Sequence, residues 1–365
     1  MVIRNNAFEE SKTDDNMLVP TSVVRGTSVQ IYPGYEWIKQ INGNIYYALF
    51  LGWGEDNLPV GHDLYIVSYH LEAVDLMWLR KQAKLVNAPI VVLSDGSHYD
   101  VQVPGVTFLP FYYWHRQLDR MLTWFGSNFK KNIKYKASAF SHHVSQSKLY
   151  IFTALAKYLE EKDRLITLSD WVDVDDYSMF TGNRVLDDLY DEFNEEWSGK
   201  TIKIDDFEQS QNQQNVTGNP NQPAYQECAV HFTNESFHYS FMMDGHIPYT
   251  YPGPFLTEKT MKCLLGGTGF VPVGQFETYK TLESIGFKFD YEFDTEFDND
   301  SGNMSRLASI VGLIEQFADM DTMDIFNATK ESSEYNQQQI VNGTIYKNCE
   351  AVNAATVDRI HNLLR

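Results

Sequence analysis

The run Phe255-Leu256-Thr257-Glu258-Lys259-Thr260 sets a hydroxyl, a carboxylate and an ammonium just ahead of an apolar stripe at Met261, Leu264 and Leu265. The stripe has helical spacing, so the polar residues stand at a helix N-terminus, where free N–H groups and the positive dipole end attract an anion. Such a start suits a sugar diphosphate, with Lys259 neutralising phosphate and Glu258 accepting hydrogen bonds from two ribose hydroxyls. Gly266 and Gly267 let the chain turn into the next strand. The same residues also make an ordinary capped core helix, and spacing alone does not choose between the two.

Other chemistry-bearing residues follow strand-like runs, where functional groups gather in a parallel sheet. Asp95 comes directly after the run 89–94, Glu55 after Gly52-Trp53-Gly54, and Glu72 after Ser68-Tyr69-His70. Each could serve as a general base or close a turn. His70, His98 and His115 are placed similarly, but a lone histidine is more often hydrogen-bonded structure. Asp173-Val174-Asp175 has the Asp-x-Asp pattern that can hold a divalent cation on donor phosphates. Acidic triplets are common at this composition, and Lys259 already offers a cationic phosphate contact, so neither a metal site nor a cofactor is expected. The acidic run 290–300 lacks the spacing of a calcium loop and reads as solvated.

Short apolar runs and helical stripes alternate to position these groups. Runs at 46–52, 63–68, 89–94 and 106–110 read as strands, with Leu71, Val74, Met77 and Trp78 on one helical face between them. A second cycle has strands at 136–141, 165–169, 229–233 and 270–273, with helical stripes through Ile151–Leu159 positions, 254–267, 279–285 and 304–314, and Gly286 as a C-cap. The first 25 residues read as a loosely held arm, and the Asn/Gln-rich stretch 209–222 as a surface loop. Alternation of this kind predicts α/β architecture: two Rossmann-like domains facing a cleft, residues 1–133 and 134–350, then a C-terminal helix at 351–365.

Composition narrows the partners. The net charge of −20 disfavours duplex DNA, which is gripped through Lys and Arg. No apolar run is long enough to span a membrane, and the acidic N-terminus is not a secretory signal. Cys228, Cys263 and Cys349 are odd in number and far apart, which fits a reducing cytoplasm better than a disulfide framework or zinc site.

His231-Phe232-Thr233-Asn234-Glu235-Ser236, a loop, then Phe255-Leu256-Thr257-Glu258-Lys259 resembles the donor-site signature of α1,3-fucosyltransferases. There a Phe-Glu-Asn-Ser-like strand end precedes a Tyr-Val-Thr-Glu-Lys helix start and a strand with a Pro-containing turn, matched here by Phe270-Val271-Pro272-Val273-Gly274. The strand at 136–141 and the helix from Lys148 are similar to the family's segment bearing a phosphate-binding Arg, and Lys148 falls at that Arg. The segment 106–113 is similar to the end of the family's acceptor-domain sheet, and 276–290 resembles uncharacterised glycosyltransferase-like proteins of large tailed phages. Asn-Glu-Ser replaces Glu-Asn-Ser, a longer insertion separates the two donor motifs, and Lys lacks the fork of Arg.

The resemblance implies a GT-B fold and an inverting, metal-independent glycosyltransferase. A nucleotide-sugar would meet Lys148, Asn234, Glu235, Ser236, Phe255, Thr257, Glu258 and Lys259, with Asp95 near the family's base position and Glu55 or Glu72 as rivals. The expected acceptor is a glycan or glycoconjugate hydroxyl. Alternatives are a phage-type enzyme glycosylating modified DNA bases and a non-catalytic nucleotide-sugar-binding protein.

Overall fold

A computed structural model describes residues 45–49, 57–69, 76–94, 102–112, 115–141, 146–168, 181–197, 223–235, 241–244, 247–250 and 253–363. The chain divides into two compact units, each α/β with its own four-stranded parallel sheet. One unit comprises Met1–Tyr113, Ser240–Phe255 and Lys347–Arg365, and the other Trp114–Tyr239 and Leu256–Tyr346. The first break thus falls at 113/114, where the sequence reading sets it at 133/134.

In the first unit, β1 (Ile45–Leu49), β2 (Leu64–Tyr69), β3 (Ile90–Ser94) and β4 (Val106–Pro110) lie side by side in chain order. Ile90, Val91, Val92 and Leu93 are all fully buried, so β3 is covered on both faces, as a continuous apolar run in a parallel sheet requires. The crossover helix α1 (Leu76–Val86) buries Leu76, Trp78, Leu79, Gln82 and Val86. Met77, expected on the inner face with Trp78, is exposed, while Trp78 is buried; Leu71 and Val74 of the same expected stripe lie outside the described residues. Gln82 ties α1 to the segment ahead of β2: its Oε1 accepts the Leu58 N–H at 2.8 Å and its amide donates to Asn57 Oδ1 at 3.3 Å.

Two later stretches complete this unit. The excursion between the two halves of the other unit carries a two-stranded antiparallel hairpin, 241–244 with 247–250. The C-terminal helix, Thr344–Asn362, begins before the expected 351. Its Asn353 amide accepts from the Tyr112 N–H at 2.8 Å and donates to the Tyr112 carbonyl at 2.9 Å, completing the backbone just past β4. Thr356 donates to the Pro110 carbonyl at 2.6 Å.

The second unit opens with α2 (His115–Phe125), followed by β5 (Tyr135–Ser141), α3 (Gln146–Tyr158) and β6 (Arg164–Leu168). After α4 (Arg184–Trp197) and the short α5 (Pro223–Gln226) come β7 (Cys228–Asn234), then, beyond the hairpin strands β8 (Phe241–Asp244) and β9 (Ile247–Thr250), α6 (Glu258–Gly266) and β10 (Gly269–Val273). Helices α7 (Thr278–Glu283), α8 (Asn303–Ala318) and α9 (Thr322–Val341) precede the terminal helix, α10. The sheet order is β10-β7-β5-β6. Both faces are covered: Phe232 stacks on Phe317 of α8, while His231, next along β7, packs against Tyr225 of α5.

Local chemistry fixes the turns between these elements. Gly267 sits at φ 67° and closes α6, its N–H donating to Leu264 O while Thr268 N–H reaches Cys263 O. Gly269 must lack a side chain, since a Cβ there would stand 2.8 Å from both the Ala229 carbonyl and Thr329 Oγ1 of α9. Arg164 donates to the Leu155 carbonyl in the last turn of α3 and to the Leu159 carbonyl just past its end, placing a cation where the helix dipole is negative.

Among the described residues no helix is long and apolar enough to cross a membrane. Cys228, Cys263 and Cys349 are free and buried. Burial pushes the Cys228 and Cys263 thiols up to about 12, far from thiolate chemistry at neutral pH.

Candidate functional site

Parallel strands β5 and β7 are neighbours, with Ser138 opposite His231. From β5 the chain moves through α3 to β6 on one side, and from β7 through α6 to β10 on the other. The winding therefore reverses between β5 and β7, and such a reversal opens a crevice at the strands' carboxyl ends. Lys148 lies in the first turn of α3 and is 8% exposed, and Glu258 and Lys259 begin α6. These residues belong to the helices that leave the two strands flanking the reversal.

Asn234 ends β7 and Glu235 follows, both buried. The Glu235 N–H donates to Val273 O at 3.1 Å, extending the pairing of β7 with β10. Its carboxylate meets the start of α6. Oε1 accepts the Thr257 N–H at 3.2 Å and the Thr260 hydroxyl at 2.5 Å, and Oε2 accepts the Thr257 hydroxyl at 2.6 Å. Thr257 is the N-cap, its Oγ1 accepting the Lys259 N–H at 3.2 Å. Leu256 and Met261, at the two positions of a hydrophobic staple, are both buried.

Glu258 and Lys259 differ from their neighbours in reaching solvent, with side chains 35% and 29% exposed. The Lys259 ammonium stands 3.9 Å from Glu258 Oε1 and 3.4 Å from Thr257 Oγ1. One turn on, Lys262 is half-buried, and desolvation holds its ammonium below the usual lysine range; Glu258 and Glu235 oppose that shift and Lys259 adds to it. The start of α6 thus carries one half-exposed ammonium–carboxylate pair, Lys259 and Glu258, with the desolvated Lys262 one turn on and the buried, hydrogen-bonded Glu235 beneath.

Behind it lies a polar group that spacing arguments do not single out. His231 Nδ1 and Ser138 Oγ are 2.8 Å apart, and Ser138 Oγ also donates to the Ala224 carbonyl at 3.1 Å. Because that hydroxyl proton goes to Ala224, Nδ1 carries the imidazole proton and donates to Ser138. Tyr225 packs edge-on at 4.9 Å between ring centroids, and burial, helped by Lys262, pulls the imidazole down to about 3. It is neutral at any working pH. Period-2 alternation could have found its placement, since His231, Thr233 and Glu235 share one face of the strand. Thr260 carries no such signal, since the third position after a Thr N-cap is marked by Glu or Gln, and here its hydroxyl serves Glu235 instead.

Of the predicted site residues, the structure brings Glu235, Thr257, Glu258 and Lys259 together and sets Lys148 in the helix following the adjacent strand. Phe255 is buried just ahead of Leu256. Asp95, Glu55, Glu72, Ser236, His70, His98, Asp173 and Asp175, together with the loop 209–222 and the arm 1–25, lie outside the described residues. His115 starts α2, buried, its ring edge-on to Tyr346 at 5.0 Å.

The acidic run is only partly solvated. Asp298 is buried and accepts the Thr278 N–H at 3.0 Å and the Tyr279 N–H at 2.8 Å, capping α7. Desolvation raises its carboxyl to about 7, against those two N–H bonds and nearby Arg306. Among the described residues no cluster of His, Cys, Asp or Glu could hold a metal ion. No family model matches this chain, and no curated protein matches it.

Proposed function

We propose that this chain is an inverting, metal-independent glycosyltransferase of the GT-B type, moving a sugar from a nucleoside-diphosphate donor to a glycan or glycoconjugate hydroxyl. One observation carries the reading: Lys148 and the Glu258–Lys259 pair begin the two helices that leave the strands flanking the reversal in the second sheet. Ligands of open α/β sheets bind at that place. The resemblance of Asn234–Lys259 positions to the fucosyltransferase donor signature supports the same site.

In this reading the diphosphate lies between Lys148 and Lys259, whose charges stabilise it as it departs, the task a divalent cation performs in metal-dependent transferases. Glu258, exposed beside Lys259, accepts from the ribose hydroxyls. Asp95 takes the acceptor proton as its oxygen attacks the anomeric carbon and the bond to the diphosphate breaks on the opposite face.

A panel of nucleotide sugars tests this, scored by thermal shift and donor cleavage in excess chelator. One donor should stabilise the protein by roughly 2.7 kcal/mol at about 100 times its dissociation constant, and should be cleaved without metal. Stabilisation without cleavage, with or without acceptor, would make the chain a binding protein. Activity lost on chelation and restored by manganese would move the chemistry to Asp173 and Asp175. Affinity for duplex DNA falling steeply with salt would favour a DNA-base acceptor.

A further inference from the structure

Glu235 sits at the carboxyl end of β7, yet its carboxylate reaches across to the start of α6, accepting from Thr257 and Thr260. We propose that Glu235 is a positioning residue: it sets the α6 start and, through the Thr257 hydroxyl, orients Lys259. The inference rests on reading 257–259 as the donor site, but its structural half stands on the contacts themselves.

The geometry runs in one direction. Glu235 is fixed to the sheet by its own N–H on Val273. It takes the Thr257 hydroxyl proton at 2.6 Å, so the lone pairs of Thr257 Oγ1 face Lys259, meeting its N–H at 3.2 Å and its ammonium at 3.4 Å. A change at Glu235 therefore reaches Lys259 through one side chain, without Glu235 touching a ligand. The same carboxylate closes the excursion between residues 235 and 257, which carries β8 and β9. Holding both ends of that excursion to one group removes the freedom that would let α6 start in another register. It also places a negative charge at the helix N-terminus in advance, so an incoming diphosphate draws its affinity from the ammonium groups rather than from an unmet helix dipole.

Three variants of the full chain test this: Glu235→Gln, which turns one acceptor into a donor; Thr260→Val, which deletes one hydroxyl at nearly constant volume; and Thr260→Ser, which keeps it. Hydrogen–deuterium exchange of residues 258–262 reads the positioning, and calorimetric titration with GDP and UDP reads its consequence. Glu235→Gln and Thr260→Val should speed exchange there by about tenfold, the equivalent of one hydrogen bond, with the amides of β7 and β10 unchanged. Nucleotide affinity should fall by a similar factor in both, and Thr260→Ser should match wild type in both readouts. Unchanged exchange in Glu235→Gln and Thr260→Val overturns the proposal, and so does a Thr260→Ser variant as impaired as Thr260→Val, which would assign the effect to packing. If neither nucleotide binds wild type, the donor reading fails, and exchange alone decides whether Glu235 positions the helix.

Discussion

The two units of this protein use the same sheet architecture and differ in what their buried polar groups do. In the first, the strands follow in chain order with no reversal among the described residues, and the core around them is almost wholly apolar. Its buried amides, Gln82 and Asn353, complete backbone groups next to the sheet. In the second, the winding reverses at β5 and β7, and buried charged or titratable groups gather at helix starts and irregular connections: Glu235 at α6, Asp298 at α7, Arg306 on the Gly274 and Asp300 carbonyls. A crevice at strand ends needs helix starts held in place where regular pairing stops. Charge-assisted hydrogen bonds hold them more firmly than neutral ones. On the proposed reading the donor residues belong to the second unit and the base to the first, and each part of that division can be broken separately.

The largest effect should come from Asp95. If it is the base, Asp95→Asn lowers turnover by about 10²–10⁴-fold while donor affinity, measured by calorimetry, stays the same. Near-normal turnover returns Asp95 to a turn and moves the role to Glu55 or Glu72. A parallel loss of donor affinity would break the division itself.

Next comes Arg306. It is 1% exposed, its Nε donates to Gly274 O at 3.1 Å and Nη1 to Asp300 O at 2.7 Å. Arg306→Met fills the space but leaves these carbonyls unmet and Asp298 without its nearby cation. Urea unfolding should register a loss of about 3–5 kcal/mol, the range for removing one partner of a buried charged network. A loss under about 1 kcal/mol would mean that water replaces the guanidinium and that this polarity is incidental.

The contrast also marks how much was legible in the sequence. Buried parallel strands announce themselves as apolar runs, so all eight strands of the two parallel sheets fall within a few residues of their expected places, whereas the antiparallel hairpin strands β8 and β9 were not foreseen. The long helix α9 went unread because its inward stripe is Ile325, Ala328, Thr329, Ser332, Ser333, Asn336 and Ile340, helical in period but largely polar. Those polar groups serve the segment after α7, an extended run alternating aromatic and charged residues. Asn336 bonds both the N–H and the carbonyl of Lys288, at 2.8 and 2.7 Å, and the Glu292 N–H donates to Ala328 O at 3.1 Å. A helix supplies the pairing that a strand would ordinarily provide, and no hydrophobic period reports that. Likewise Asp298 reads as one more solvated acid, because only tertiary contact reveals the helix it caps. The chemistry of Thr257–Lys259 was legible as a helix start; Glu235 entered only through the resemblance, as a donor contact, and its hold on that helix start shows only in the tertiary contacts.

Lys259→Ala should have a smaller effect, confined to binding. Removing one charge-assisted contact to a diphosphate costs about 1.5–3 kcal/mol, or one to two decades in GDP or UDP affinity. The melting temperature should hold, since the side chain is 29% exposed and outside the buried stripe of α6. Unchanged affinity would reduce 257–259 to a capped structural helix.

The smallest effect is a slope, and it tests whether burial of polar groups in the second unit leaves a pH signature. His231 is held neutral by burial, its folded value down to about 3 against an ordinary 6.5. Between those values the unfolded chain binds the extra proton, so this contribution is fully present above pH 6.5 and is lost as pH falls toward 3. The rate is about 1.4 kcal/mol per pH unit. Asp298 runs the other way. With its folded carboxyl raised to about 7 from 3.8, the native state binds more protons across that window, and stability from this group rises as pH falls. Wild type therefore shows a shallow net slope between pH 6.5 and 5, where most other carboxylates are still ionised. His231→Gln removes one of the two opposed terms while its amide can still donate to Ser138. Urea midpoints taken every half pH unit should show the variant gaining stability on acidification relative to wild type, by up to about 2 kcal/mol over that window. Parallel curves for the two proteins would mean that the His231 site admits the proton, and that the Ser138–His231 pair is open to solvent rather than sealed beneath α5 and α6.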